Sequence, residues 1–338
     1  MEKKLDKKKI IDFLFNNAMY IIIALVIVYV AIKRPAFLGT ASIVNIISLT
    51  ASKLPIALGV AGCIVLAGTD ISAGRIVGLS AVVTASLLST ASKIWPNMSG
   101  PLPIPVVLLI VLGISGFIGF VNGFAVSKFS LHPYIVTLST QLIVYGVILV
   151  YMNMGTNNGQ TLSGMIDSYK SLVAGPLFYI GKTAVPKYIL YSLIFLVVMW
   201  IIWNKTVFGK NMFAIGSNRT AAEVSGVDVN KTIVMVFVMA GIMYGLAGFI
   251  DAARVGSATA NTGLNYEADA ISACVIGGVS FVGGTGKISG LVVGVVLLQL
   301  IFVALNFLAV NQNMLYIIKG LIILIACAID MRKYLTRK

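Results

Sequence analysis

The sequence predicts an all-α integral membrane protein with about ten transmembrane helices. Its 338 residues are 59% hydrophobic and only 11% charged, whereas soluble domains have about half apolar and a quarter charged residues. Apolar runs of about 20 residues, long enough to cross a hydrocarbon core of roughly 30 Å, recur along the whole chain. Lys and Arg cluster between these runs, so the net charge of +14 indicates cytoplasmic loops in a lipid bilayer rather than a nucleic-acid-binding surface.

Ten apolar runs are candidate spans, and two of them are atypical. The second run contains Lys53 and Pro55, so we expect its helix to be broken or kinked near its start. The eighth, ADAISACVIGGVSFVG, is short and rich in small residues, so we expect it to pack inside the bundle. The ten runs cover residues 13–32, 43–67, 72–92, 104–127, 133–153, 188–204, 232–252, 268–283, 288–309 and 313–330.

The basic residues orient these spans. With the N-terminus in the cytoplasm, 16 of the 25 Lys and Arg residues fall in cytoplasmic pieces, and the C-terminus is cytoplasmic too. Residues 1–12 then form a basic cytoplasmic tail, 204–231 a cytoplasmic loop and 154–187 the longest extracytoplasmic loop. The outer loop suits either a docking surface for an extracytoplasmic partner or a lid on the bilayer. The whole chain, 1–338, is predicted to be a single transmembrane domain.

Two short segments share a pattern of small residues. GVAGCI (59–64) in the second span and GLAGFI (245–250) in the seventh both read G-x-A-G-x-I, and the two spans run in opposite directions. An inverted repeat of spans 2–5 and 7–10 is consistent with this pattern. Small residues also recur wherever membrane helices pack closely, so the pattern alone does not choose between these interpretations.

The chain lacks the motifs of an ATPase or a hydrolytic enzyme. Residues 181–183, GKT, resemble the end of a phosphate-binding loop, but Pro176 stands where that motif requires glycine. His132, the only histidine, lies in a predicted cytoplasmic turn without triad partners or a metal-ligand cluster. We therefore predict no catalytic residue, no cofactor and no bound metal, and we predict that the chain is not an enzyme.

Ion-coupled carriers place carboxylates deep within their spans. In this chain the carboxylates near the spans fall at or close to span ends, with none placed convincingly at mid-bilayer. They are Asp70, Asp251, Glu267, Asp269 and Asp330. A transporter of this kind either takes its energy from a separate subunit or moves its solute without an energy source.

Residues 214–230, AIGSNRTAAEVSGVDVN, form a polar passage with the signals of a short helix between two spans. Thr220 and Glu223 have the spacing of a capping box, in which each side chain accepts a hydrogen bond from the other residue's backbone N–H. Gly226 follows as a left-handed stop. Because a helix of about two turns is unstable alone, this one needs a surface to pack on. It is either a connector on the membrane or a peg that fits a groove in a cytoplasmic motor.

Several motifs, in order from about residue 43 onward, resemble the permease subunits of bacterial ABC sugar importers, the ribose, xylose and galactose group. They are GTDISAG (68–74), NGFAVSKFSLHPYIVTLST (122–140), WNKTVFGKNMFAIGSNRTAAEVSGV (203–227) and EADAISACVIGGVSFVGGTG (267–286). The stretches GVAGCIVLAGTDISAGRIVGLSAVV (59–83) and AARVGSAT (252–259) are most similar to galactose/methyl-galactoside permeases. The chain departs from the family pattern at Ala268, Tyr134 and Ser139, and these packing-sized changes leave the exact sugar open.

The resemblance implies a homodimer of this chain in the bacterial cytoplasmic membrane, with an ATP-binding subunit below it and an extracytoplasmic sugar-binding protein above it. It implies that the short helix is the coupling helix, which transmits the motion of the ATPase to the spans. The residues of this predicted coupling segment are Ser217, Asn218, Arg219, Thr220, Ala221, Ala222, Glu223, Val224, Ser225 and Gly226.

Five polar residues in or beside the spans are candidates for lining the sugar path, namely Asn122, Thr137, Ser139, Thr140 and Gln141. Each could equally hydrogen-bond a neighbouring helix, at about 0.6 kcal/mol apiece. Galactose or methyl-galactoside is the expected substrate. The alternatives are the same machine with ribose, xylose or another small solute, such as a branched-chain amino acid or a nucleoside, and an ATP-independent facilitator.

Overall fold

The apolar runs of the sequence form α-helices in the computed structural model, which describes residues 18–335. The helices are α1 (Ala18–Lys33), α2 (Thr40–Val65), α3 (Ala73–Leu87), α4 (Ile104–Lys128), α5 (Pro133–Met152), α6 (Asp167–Val173), α7 (Tyr188–Lys205), α8 (Val207–Ser217), α9 (Arg219–Val224), α10 (Val229–Val255), α11 (Tyr266–Ile276), α12 (Ile288–Phe307) and α13 (Gln312–Leu335). A 3₁₀ turn, Pro35–Leu38, joins α1 to α2. Within the described range, six helices are long and apolar enough to cross a membrane, namely α2, α4, α5, α7, α10 and α12. The predicted basic tail, 1–12, lies outside the described residues.

Helix α10 is the centre of the bundle and packs against α2, α3 and α4. Small residues allow the close approach of α10 and α4, because a β-carbon at Gly119 would overlap the backbone of Phe237 and one at Gly241 would overlap the backbone of Ser115. The motif glycine Gly59 on α2 faces α10 in the same way. The shared G-x-A-G-x-I pattern therefore lies at helix contacts, as close packing requires.

Helix α2 is continuous through Pro55, so the second span is not broken there, and the alternative expectation of a kink stays a prediction. Proline has no N–H to offer the carbonyl of Ala51, four residues earlier. The hydroxyl of Ser192 on α7 donates to that carbonyl at 2.6 Å instead. A neighbouring helix thus satisfies the backbone group that proline leaves free, which is how membrane helices tolerate proline.

Helix α11 is shorter than the predicted eighth span, 268–283, because it ends at Ile276. Its 11 residues rise only about 16 Å, roughly half a bilayer core. Gly278, Gly283 and Gly284 follow with positive φ, so the chain from 277 to 287 turns repeatedly. The helix packs against α2, α12 and α13 inside the bundle, as the small residues indicate.

The 154–187 loop is not purely helical, which corrects the all-α prediction. After α6, strands β1 (Pro176–Ile180) and β2 (Thr183–Pro186) pair antiparallel in a small hairpin. Gly181 has φ 61°, which suits the first position of a two-residue hairpin turn. The buried hydroxyl of Tyr169 on α6 donates to the Phe249 carbonyl of α10, so the loop is anchored to the bundle.

The connections gather at two ends of the bundle. At one end, Gly284 donates its N–H to the Val65 carbonyl, and residues 63–68, 131–133 and 215–219 line a common cavity. We call this the coupling end. At the opposite end, Ser89 pairs with Met165 and Leu162 pairs with Ala258, so the 154–187 loop joins the segments after α3 and α10.

Candidate functional site

The short helix α9 lies in the passage where the sequence predicts it, but its first cap is a different residue. Asn218 is the N-cap, and its Oδ1 accepts the Ala221 N–H at 2.9 Å. Thr220 is already inside the helix, so the predicted capping box of Thr220 and Glu223 was wrong. Asn at the N-cap is among the strongest helix starts, because its side chain satisfies a backbone donor that the helix cannot.

The other end of α9 closes as the sequence predicts. Gly226 has φ 83°. Its N–H donates to Glu223 and the Val227 N–H donates to Ala222, at 2.9 and 3.1 Å. These two bonds form a Schellman motif, which satisfies carbonyls that the helix end leaves free. The prediction of a left-handed glycine stop is confirmed.

Most of the predicted coupling segment is exposed. Ala222 is the exception, at 4% exposure, while Val224 is 85% exposed. The other eight residues, Ser217, Asn218, Arg219, Thr220, Ala221, Glu223, Ser225 and Gly226, are exposed or lie at the surface. The helix therefore packs through one alanine and presents the rest of its surface, including an apolar valine, at the coupling end.

The coupling segment touches the bundle at a junction of three backbones. A β-carbon at Gly216 would overlap the Val65 carbonyl at the end of α2, and it would lie 2.7 Å from the Gly284 nitrogen. A β-carbon at Gly284 would in turn overlap Ser217. The start of the coupling segment, the end of α2 and the 277–287 loop thus lie in close contact at this junction.

A cavity of about 300 Å³ lies beside this junction. Its walls come from the end of α2, from the turn before α5 and from the segment between α8 and α9. Residues that line it include Gly68, His132, Pro133, Ser217, Asn218 and Arg219. Its polar wall is therefore part of the predicted coupling segment.

Three of the five path candidates hold the turn between α2 and α3. The Asn122 amide donates to the Ser72 hydroxyl at 3.1 Å and accepts from Thr140 at 2.6 Å. Ser72 donates to Asp70 at 2.5 Å, which completes a buried chain of hydrogen bonds. Thr137 accepts the Ile71 N–H at 3.2 Å from the same turn. These residues bond neighbouring elements, the alternative role that the sequence leaves open.

The two remaining path candidates have hydrogen-bond partners other than that turn. Ser139 is exposed, and its hydroxyl donates to Ile135 of its own helix at 2.9 Å. Gln141 is half-buried, and its amide lies 3.5 Å from Glu267 Oε1 on α11. The structure therefore does not bring the five candidates to one surface.

Sequence reasoning missed a network of charges inside the bundle. Lys319 on α13 pairs with Asp269 on α11 at 2.9 Å, and Arg254 pairs with Asp251 on α10 at 2.7 Å. Tyr266 donates to Asp251 at 3.1 Å, while the Lys53 ammonium lies over the Tyr266 ring. Asp251 and Asp269 lie near helix ends, as the sequence predicts, but they are buried and join helices within the bundle. The positions of Lys53 and Lys319 inside apolar runs were the available signal, since buried cations require partners.

Comparison with known proteins gives one consistent picture. Residues 42–327 match the family described as "Branched-chain amino acid transport system / permease component". The chain is 41% identical over 337 residues, 99% of each chain, to the galactose/methyl galactoside import permease protein of Haemophilus influenzae, and equally to that of Escherichia coli. It is 34% identical over 318 residues, 94% of each chain, to the ribose import permease protein of Haemophilus influenzae. No solved structure matches the chain. The resemblance identified from the motifs is confirmed.

Proposed function

Because the chain belongs to this permease family, we propose that it is the membrane subunit of an ATP-driven importer of galactose or methyl galactoside. The choice of substrate rests on sequence identity. The chain is 41% identical over 99% of both chains to a galactose/methyl galactoside permease, compared with 34% to a ribose permease. A branched-chain amino acid is the weaker candidate, because it rests on the family description alone.

We propose that the coupling end faces the cytoplasm and that the 154–187 loop faces outward, in the bacterial cytoplasmic membrane. The alternation of connections between the two ends supports ten crossings, with α3 and α11 as short ones. Both termini are then cytoplasmic, and the whole chain is one transmembrane domain. The inverted repeat of spans 2–5 and 7–10 stays a prediction.

The proposed machine contains a second copy of this chain, a cytoplasmic ATP-binding subunit and an extracytoplasmic sugar-binding protein. We propose that α9 is the contact with the ATPase, because it presents an exposed valine, Val224, on a capped helix. Movement of α9 would reach α2 and the 277–287 loop through the contacts of Gly216 and Gly284. The chain itself is proposed to have no catalytic role.

Among the path candidates, we propose that Gln141 lines the route of the sugar. Asn122, Thr137 and Thr140 are better explained as the residues that fix the turn between α2 and α3, since their polar atoms bond that turn. Ser139 satisfies its hydroxyl within α5, so it is compatible with lipid and is the weakest candidate.

The test is uptake of labelled galactose by cells that lack this chain and by cells that regain it. Unlabelled methyl galactoside, glucose and ribose serve as competitors, each with and without ATP depletion. We expect uptake that needs the chain and ATP and that methyl galactoside blocks. Uptake that survives ATP depletion would identify a facilitator and refute the coupling role of α9. Uptake blocked by ribose in place of methyl galactoside would change the sugar and keep the importer.

A further inference from the structure

Two carboxylates on the first turn of α11 have very different surroundings. Asp269 points toward α13 and pairs with Lys319 at 2.9 Å. Glu267 points toward α3 and α5 and is only 7% exposed. Its Oε2 has no hydrogen-bond partner within the described part of the chain. A buried acceptor without a partner is costly, so an intramembrane carboxylate of this kind calls for a functional explanation.

Polar and aromatic groups lie near Glu267, whose Oε2 packs against Gly74 of α3. Gln141 donates weakly to its Oε1 at 3.5 Å. Arg75 directly follows Gly74, which contacts Glu267. The Arg75 guanidinium lies over the Tyr145 ring at 4.0 Å, and it donates to the Ala260 carbonyl at 3.2 Å. Gln141 and Tyr145 are one turn apart on α5, and both are half-buried.

This cluster lies at mid-depth in the bundle. Gln141 and Tyr145 stand about 12 and 18 Å along α5 from its start at Pro133, in a helix about 30 Å long. Glu267 lies in the first turn of α11, directly after the irregular segment 256–265. Irregular backbone at membrane depth is tolerated where it is buried in protein or lines a water-filled cavity, and in transporters interrupted helices often mark the substrate site.

We propose that Glu267, Gln141, Arg75 and Tyr145 form the sugar-contacting site midway along the translocation path. The proposal rests on the proposed function, because it names the place where that substrate passes. A monosaccharide presents hydroxyls that donate to a carboxylate and accept from an amide or guanidinium, and its apolar face can contact an aromatic ring. In this site a hydroxyl of the passing sugar donates to Glu267 Oε1, whose contact with Gln141 at 3.5 Å is weak.

Cysteine labelling tests the site directly. The starting chain carries Cys327→Ala, and its two remaining cysteines, Cys63 and Cys274, are fully buried. Gln141→Cys and Leu142→Cys are each treated with a small hydrophilic methanethiosulfonate, in the complete importer, in right-side-out and inside-out vesicles. Leu142 is 67% exposed and lies about 100° further around α5, so it is the matched control on the apolar surface.

We expect the cysteine at 141 to react at least tenfold faster than the one at 142, and we expect saturating galactose to slow that reaction. Equally slow reaction at the two positions would overturn the proposal, because position 141 would then not face water. Fast labelling that galactose, methyl galactoside and ribose all leave unchanged would also overturn it, because the hydrated surface would not bind sugar.

Glu267→Gln provides a second test with nearly the same side-chain volume. We expect the amount of galactose transported per ATP hydrolysed to fall at least tenfold, and the ratio of galactose to ribose transported to change. An unchanged yield and ratio would exclude a sugar contact at Glu267. Because labelling at 141 does not depend on ATP-driven uptake, failure of this site and failure of the importer function give different results.

Discussion

Ser192 donates its hydroxyl to the carbonyl oxygen of Ala51 at 2.6 Å, and it thereby replaces the hydrogen bond that Pro55 cannot form within α2. Both side chains are buried, so no water could supply that bond. The contact joins α7 to α2 near the middle of the bundle, and it lets an apolar span carry a proline without losing its helical course.

Ser192→Ala should therefore destabilise the protein by about 1–2 kcal/mol, because the buried carbonyl of Ala51 loses its donor. Thermal unfolding in detergent measures this effect. Ser272→Ala is the control, since Ser272 is equally buried but donates to Ala268 of its own helix, whose carbonyl also has a backbone donor. Equal losses for the two variants would show that Pro55 leaves no special requirement.

Gly216→Ala should sharply reduce uptake, because a β-carbon there overlaps the Val65 carbonyl and forces the junction at the coupling end apart. Such overpacking costs about 1–3 kcal/mol, and we expect ATP-dependent galactose uptake to fall at least tenfold. Gly146→Ala on α5 has no neighbouring atom within 4 Å and should keep normal uptake. Normal uptake in both variants would contradict the close junction.

Asn218→Ala should weaken α9 by about 1 kcal/mol, because Asn218 is its N-cap. Thr220→Ala should have little effect on the helix, since Thr220 lies inside it. Hydrogen exchange at the amides of residues 219–224 compares the two variants. Faster exchange in the Thr220 variant alone would contradict Asn218 as the N-cap and support the capping box that the sequence predicts.

Gly226→Val should uncouple ATP hydrolysis from uptake while the protein remains inserted in the membrane. Space is not the reason, because no atom lies within 4 Å of the added β-carbon; the reason is the positive φ of 83°, which a β-branched residue adopts only with strain. Gly226→Asn should retain most coupling, because asparagine tolerates this conformation. The ratio of sugar moved to ATP hydrolysed is the measurement, and a normal ratio in the valine variant would mean that the stop is dispensable.

Lys319→Met should destabilise the bundle by about 3–5 kcal/mol, because it leaves Asp269 as an unpaired buried charge. Adding Asp269→Leu to this variant should recover much of the loss. The yield of folded protein from membranes and its unfolding temperature provide the comparison across the four chains of the mutant cycle. Additive losses in the double variant would refute the pairing.

Hydropathy predicts where most of the helices lie, because each apolar run has to bury its length in lipid. The predicted span 133–153 and the helix Pro133–Met152 differ by a single residue. Local backbone chemistry is also readable, as the stop at Gly226 illustrates. The hairpin 176–186 was not predicted because its strands are short, although a glycine turn between two β-rich segments was an available signal.

Contacts between side chains that are far apart in the sequence cannot be predicted from hydropathy or local motifs. Asp269 and Lys319 are 50 residues apart, and Gln141 and Glu267 are 126 apart. Only the packing of α11 between its neighbours brings them together. Asn218, rather than Thr220, is the N-cap for a reason that the sequence does not show. Both residues suit the position, and the last turn of α8 decides where the next helix begins.

The shortness of α11 also has a consequence for how the protein enters the membrane during synthesis. Its 11 residues include Glu267 and Asp269, so the segment is a poor substrate for independent insertion by the translocon. The salt-bridge partner of Asp269 lies on the last helix and emerges only after nearly the whole chain has been made. We therefore expect α11 to reach its final position only when α13 arrives to neutralise the charge of Asp269, so that the order of assembly differs from the order of the sequence.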